Sequence, residues 1–90
     1  MAHTVSARKR IRQNERHRAR NRWRKQQLRE AVKAARDRIQ HGSVEEAADA
    51  VRRACSVIDR VAGKGVIHKN TAARSKSRLS ARLKARKTAG

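Results

Sequence analysis

The segment Gly42-Ser43-Val44-Glu45-Glu46-Ala47-Ala48-Asp49-Ala50-Val51-Arg52-Arg53-Ala54-Cys55-Ser56-Val57-Ile58-Asp59-Arg60-Val61-Ala62-Gly63-Lys64-Gly65 decides the fold. Glycines bound it at both ends, and Val44, Ala48, Val51, Cys55, Ile58 and Val61 recur at intervals of four, three, four, three and three residues. That spacing belongs to a helix with one buried face. Ser43 and Glu46 have the separation of a capping box, in which hydroxyl and carboxylate each satisfy a free backbone amide at the helix start. A second helix is therefore predicted over 43–62, stopped by the Gly63-Lys64-Gly65 turn.

Upstream, the chain has no proline and no glycine before Gly42, so forty-one residues rich in Arg, Lys, Gln, Glu and Ala run without a breaker. A long first helix over 6–41 is expected. Its Leu28, Val32, Ala35 and Ile39 form a stripe for packing, whereas residues 6–22 have none. At 100° per residue, Arg8, Lys9, Arg10, Arg12, Arg16, Arg18, Arg20 and Arg22 point in nearly every direction. Two readings of this arm stay open: a solvated or disordered tail, and a rod met by phosphates from several sides. A basic β-ribbon on the alternation from Arg16 to Arg24 is disfavoured, because His17, Ala19, Asn21 and Trp23 make no apolar strand face. Downstream, Val66 and Ile67 are expected to open a third helix over 66–86, with Ala72, Leu79 and Leu83 on one face, fraying beyond about Leu83 into a flexible tail at 87–90. The expected architecture is all-α, a three-helix bundle with a long, basic N-terminal helix, in a single domain over 1–90.

Charge narrows the function. Twenty-six Lys and Arg oppose seven Asp and Glu in ninety residues, a net +19. Residues 1–41 hold fourteen basic and three acidic groups, residues 42–62 three basic and four acidic, and residues 63–90 nine basic and none acidic. Two cationic arms thus flank a nearly neutral segment. Leu, Ile, Val and Phe together number fourteen, too few for a deep substrate pocket and below the usual share for a chain that folds without help. The acids form no convincing carboxylate pair, His3, His17, His41 and His68 are too scattered for a metal motif, and one cysteine builds neither a thiolate site nor a disulfide. Cys55, on the apolar stripe, reads as a small buried hydrophobe. Gly63-Lys64-Gly65 lacks the spacing of a phosphate-cradling loop. No enzyme, catalytic residue, cofactor, metal or small-molecule substrate is expected. No apolar run is long enough for a bilayer or follows the basic N-terminus as a secretory signal would, so no membrane association and a cytoplasmic location are expected.

What remains is a polyanion. Arginine predominates in the first arm, and its planar guanidinium grips phosphate at two points or stacks on a base. Trp23 is the only aromatic residue, which argues against the stacking sheets of single-strand binders; packing beside the bundle is preferred for it over stacking on a base. An architectural nucleoid DNA-binding protein is the alternative, although no helix-turn-helix or dimerising surface is evident.

The run Asp59-Arg60-Val61-Ala62-Gly63-Lys64-Gly65-Val66-Ile67-His68-Lys69-Asn70-Thr71-Ala72-Ala73-Arg74-Ser75-Lys76-Ser77-Arg78-Leu79, with Ser6-Ala7-Arg8-Lys9-Arg10, Arg12, Glu15-Arg16, Arg18 and Asn21 upstream, resembles the bacterial small-subunit ribosomal protein twenty family over nearly the full length. The resemblance implies a three-helix bundle with a long first helix, bound to 16S ribosomal RNA within the small ribosomal subunit, with a role in assembly and few protein contacts. By position it implies RNA contacts from Ser6, Arg8, Lys9, Arg10, Arg12, Arg16, Asn21, Lys25 and Arg29 in the first helix. Arg18 and Arg22 join them as members of the same charged arm. In the third segment the implied contacts are Lys64, His68, Lys69, Asn70, Arg74, Lys76, Ser77 and Arg78, with a turn cap as the other reading of His68 and a backbone bond as that of Asn70. Gln26, Glu30, Gly63 and Trp23 depart from the family's usual residues.

Overall fold

Thr4 sets where the first helix begins. Its hydroxyl accepts a hydrogen bond from the Ala7 amide at 3.1 Å, satisfying one of the free N–H groups at the helix start. In the computed structural model, which describes residues 4–89, α1 runs from Val5 to His41, α2 from Val44 to Gly63 and α3 from Lys69 to Ala89. The fold is all-α, as the breaker-free arm and the apolar stripe predict. His3 and Gly90, the last residue of the expected tail, lie outside the described residues.

The α1–α2 turn is tight because Gly42 has no side chain. Its N–H donates to Arg38 O at 2.8 Å in an extended conformation, and a Cβ there would sit 2.9 Å from that carbonyl and 3.2 Å from Glu46 Oε2. Ser43 then caps α2, its Oγ accepting from the Glu46 amide at 3.1 Å. The reciprocal half of the predicted capping box is not made. The Glu46 carboxylate faces Arg38 at 3.1 Å instead, because a charged donor across the turn competes with a neutral amide.

At the other end of α2, Val66 N donates to Val61 O and Gly65 N to Ala62 O, with Gly65 at φ +75°. This is the Schellman arrangement, which needs a residue free to enter the left-handed region. It corrects the predicted start of the third helix. Val66 and Ile67 belong to the turn, half-buried beneath it, and α3 opens only at Lys69, where His68 Nδ1 accepts from the Asn70 amide at 3.1 Å.

Ala35, Val51, Ala54, Ile58, Ala72 and Leu79 form one buried cluster, and Ala47 and Val61 are buried beside it. The inward row of α2 is therefore Ala47, Val51, Ala54, Ile58 and Val61; the predicted Ala48 and Cys55 lie on its flank, half-buried. Cys55 packs against the cluster without being enclosed by it. Three alanines at zero exposure, Ala35, Ala47 and Ala54, let the helices approach closely where bulkier side chains would hold them apart. α2 packs on both neighbours, while α1 and α3 touch each other sparingly.

The third helix continues past Leu83, where fraying was expected, as far as Ala89. Arg86 reaches back across the bundle to the end of α1, its guanidinium donating to the carbonyls of Ile39, Gln40 and Gly42. A cation on the free carbonyls of a helix C-terminus is favoured by both hydrogen bonding and the helix dipole. The molecule measures 64 × 22 × 16 Å with a radius of gyration of 17.8 Å, against about 12 Å for a globular chain of this length.

Gly65→Ala should lower the unfolding free energy by about 1–2 kcal/mol through the left-handed backbone alone, since a Cβ there meets nothing. Gly63→Ala, equally unobstructed and at negative φ, should be neutral or stabilise by about 0.4–1 kcal/mol. Urea unfolding read by helical ellipticity separates the two, and equal losses would contradict the turn geometry. For Arg86→Ala, amide exchange should accelerate over residues 80–89 while the middle of α2 keeps its protection; unchanged exchange would mean the clasp holds nothing.

Candidate nucleic-acid interface

From Val5 to Arg22 every residue of α1 except Ala7 is exposed. This follows from the sequence pattern, because no apolar stripe begins before Leu28. Ser6, Arg8, Lys9, Arg10, Arg12, Arg16, Arg18, Asn21, Arg22 and Lys25 therefore stand in solvent along a continuous helix. A rod about 1.5 Å long per residue presents cations all round its circumference, with Glu15 as the one acid before Glu30.

α3 runs in the same direction as α1, since Arg86 meets Ile39 and Ser75 faces the groove beside Val32. Sparse contact between these two helices leaves a shallow groove floored by Leu28, Val32 and Leu79. Arg29 and Arg78, both named from sequence, flank it together with Lys33, Arg36 and Arg82. The last three were missed. Their signal was present as the i, i+4 and i+7 row Arg29, Lys33, Arg36 and the i, i+4 pair Arg78, Arg82, which carries meaning only once the two helices are known to lie side by side.

The remaining candidates divide. Lys64, Lys69, Asn70, Arg74 and Ser77 are exposed on the α2–α3 turn and on α3. His68 is a helix cap, as its second reading anticipated, with Nδ1 accepting from Asn70 N. The hydrogen bond at Asn70 involves its backbone amide. Lys76 is half-buried and its ammonium lies 2.8 Å from the Asp59 carboxylate. That hydrogen bond, and then the carboxylate's charge, raise its pKa above the usual lysine value. The ammonium therefore stays charged through the neutral range, and the lysine's side of the pair is lost as pH rises through that raised value.

Four of the seven acids sit elsewhere. Glu45, Glu46, Asp49 and Asp59 all lie exposed on α2, and three of them pair with Arg38, Arg52 and Lys76. One side of the molecule is thus close to neutral while α1 and α3 carry the surplus charge. Among the described residues no group of three or more His, Cys, Asp or Glu is placed to hold a metal ion. No described helix is long and apolar enough to cross a membrane.

These features define an elongated, strongly cationic helical protein whose charge is displayed on an open surface. The sequence profile of the family Ribosomal protein S20 matches residues 2–84, and the chain belongs to that family. It is 54% identical over 89 residues to the small ribosomal subunit protein bS20 of Gluconobacter oxydans, covering 99% of this chain and 100% of the relative. The bS20 of Acidithiobacillus ferrooxidans is 52% identical over 85 residues, 94% of this chain and 93% of its own. That of Nitrosomonas eutropha is 47% identical over 85 residues, covering 94% and 98%.

Asp59→Asn should return the Lys76 ammonium toward the ordinary lysine pKa, followed by side-chain nitrogen chemical shifts across an alkaline titration. An unmoved midpoint would mean that the pair does not persist in solution.

Proposed function

We propose that this chain is a structural constituent of the small ribosomal subunit that binds 16S ribosomal RNA directly, neutralising phosphates where RNA helices converge and stabilising their packing during assembly. The observation that carries the reading is the first half of α1, a helix with cations around its whole circumference and no packing neighbour among the described residues. Such a helix gains nothing from intrachain packing, so its order is best accounted for by a polyanion that surrounds it. The names of the bS20 relatives support the same assignment.

In this reading Ser6, Arg8, Lys9, Arg10, Arg12, Arg16, Arg18, Asn21, Arg22, Lys25 and Arg29 contact RNA from α1. Lys64, His68, Lys69, Asn70, Arg74, Ser77 and Arg78 do so from the turn and α3. Lys76 contributes through its Asp59 pair unless RNA displaces that carboxylate. The outer face of α2, with its balanced charges, turns away from RNA. The protein works in the cytoplasm as part of the ribosome, makes few protein contacts, and has no catalytic step.

A competition assay at physiological salt, folded 16S ribosomal RNA against random duplex DNA, should favour the RNA strongly; equal affinities would support a nucleoid architectural protein instead. Changing Arg8, Arg12 and Arg16 together to Gln should weaken RNA binding and reduce the slope of log affinity against log salt by about 0.7–0.9 for each phosphate left unneutralised. An unaltered slope would show that these side chains do not meet phosphate.

A further inference from the structure

Trp23 does not pack on the bundle as expected from sequence. It is 59% exposed, lies outside the core cluster, and stands five residues before Leu28, where the packing stripe begins. The other two large exposed hydrophobics, Val5 and Ile11, are eighteen and twelve residues upstream, about 27 and 18 Å along the axis. Trp23 is therefore an isolated aromatic surface and no part of a continuous apolar patch that could enter a lipid interface.

Its surroundings specify what would cover it. On the same side of α1, Ala19 and Arg20 lie one turn before it and Gln26 and Gln27 one turn after, with Arg16 two turns before. Arg16 and Arg20 on this side, and Arg22 next to Trp23 in sequence, are all exposed, and the nearest acid on this side is Glu30, whose carboxylate takes a hydrogen bond from Gln26 at 3.3 Å. An apolar protein surface seated on Trp23 would have to bury these guanidinium groups without partners, which is costly. A nucleotide meets both demands, because its base offers a π-face to the indole while its phosphates lie within reach of the arginines.

We infer that Trp23 is a stacking platform for an unpaired base of the bound RNA, in a bulge, loop or helix junction, with Arg16, Arg20 and Arg22 holding the adjoining phosphates. The inference rests on the RNA-binding reading above and adds to it one site that senses an unpaired base, on an arm whose other candidate contacts are chiefly electrostatic. A fully paired duplex hides its base faces and would leave the indole without a partner.

Because the chain has no other Trp and no Tyr, its intrinsic fluorescence reports on this residue alone. The full chain is titrated with in vitro transcribed 16S ribosomal RNA and, separately, with a fully paired RNA duplex, with total binding followed independently by filter retention. On 16S RNA the indole emission should be quenched and lose its accessibility to acrylamide, whereas duplex should bind with little quenching. Trp23→Ala should weaken binding to 16S RNA by roughly five- to a hundredfold without changing the salt slope, and Trp23→Phe should recover most of the loss. Helical ellipticity confirms that both variants fold. Saturated filter binding with unquenched emission, equal quenching by duplex, or wild-type affinity of Trp23→Ala would each overturn the stacking site while leaving the RNA-binding reading intact. An absence of filter-retained binding to 16S RNA would overturn both.

Discussion

Close contact of α1 and α2 through Ala35, Val51 and Ala54 is the constraint from which the rest of the shape follows. A chain with so few large aliphatic residues cannot fill a wide space between helices, so its core must be thin. Alanines at zero exposure achieve that, and Ile58 and Val61 are the largest side chains fully enclosed. The thin core reaches only as far along α1 as Leu28. The part of α1 before that point projects from the bundle at one end, and the 64 Å length of so small a protein is the direct result.

Much of this was legible from sequence, and the failures have physical causes. The breaker-free run before Gly42 and the stripes Leu28–Val32–Ala35–Ile39 and Ala72–Leu79–Leu83 gave the helices and their inward faces. On α2 the inward row came out one residue off at two positions, Ala48 for Ala47 and Cys55 for Ala54. In a helix containing Ala47, Ala48, Ala50, Ala54 and Cys55, adjacent rows are nearly equal in hydropathy, and what selects between them is how closely the partner helix approaches. Val66 and Ile67 read as the start of α3 because they are apolar, yet a Schellman turn also wants an apolar residue just beyond its glycine. The end of α3 depended on Arg86 finding carbonyls more than forty residues away, which no local pattern contains.

The charged surface divides along similar lines. That the arm would be exposed required only the absence of a stripe. That Lys76 would be held by Asp59, or that Lys33, Arg36 and Arg82 would rim the same groove as Arg29 and Arg78, required the relative placement of helices. Sequence identifies how many cations exist and on which segment. Structure decides which of them are already engaged by carboxylates or carbonyls.

The helix directions reinforce this sorting. α1 and α3 run the same way, so their positive dipole ends both point along the projecting arm, and neither first turn contains an acid. α2 runs the opposite way and carries Glu45 and Glu46 in its first turn, where carboxylates are stabilised by the free amides. That turn adjoins the end of α1, where Arg38 and Arg86 are both engaged, one by Glu46 and the other by backbone carbonyls. Arg38 and Arg86 beside the α1–α2 turn are thus used internally, while the arm has Glu15 as its one carboxylate among eight cations from Arg8 to Arg22 and no ion pair among the described residues. An anionic partner approaching the molecule meets a gradient, strongest at the unsupported end of the rod and weakest at the α1–α2 turn. The thin core and the antiparallel central helix together produce that gradient, which would steer a polyanion toward the arm.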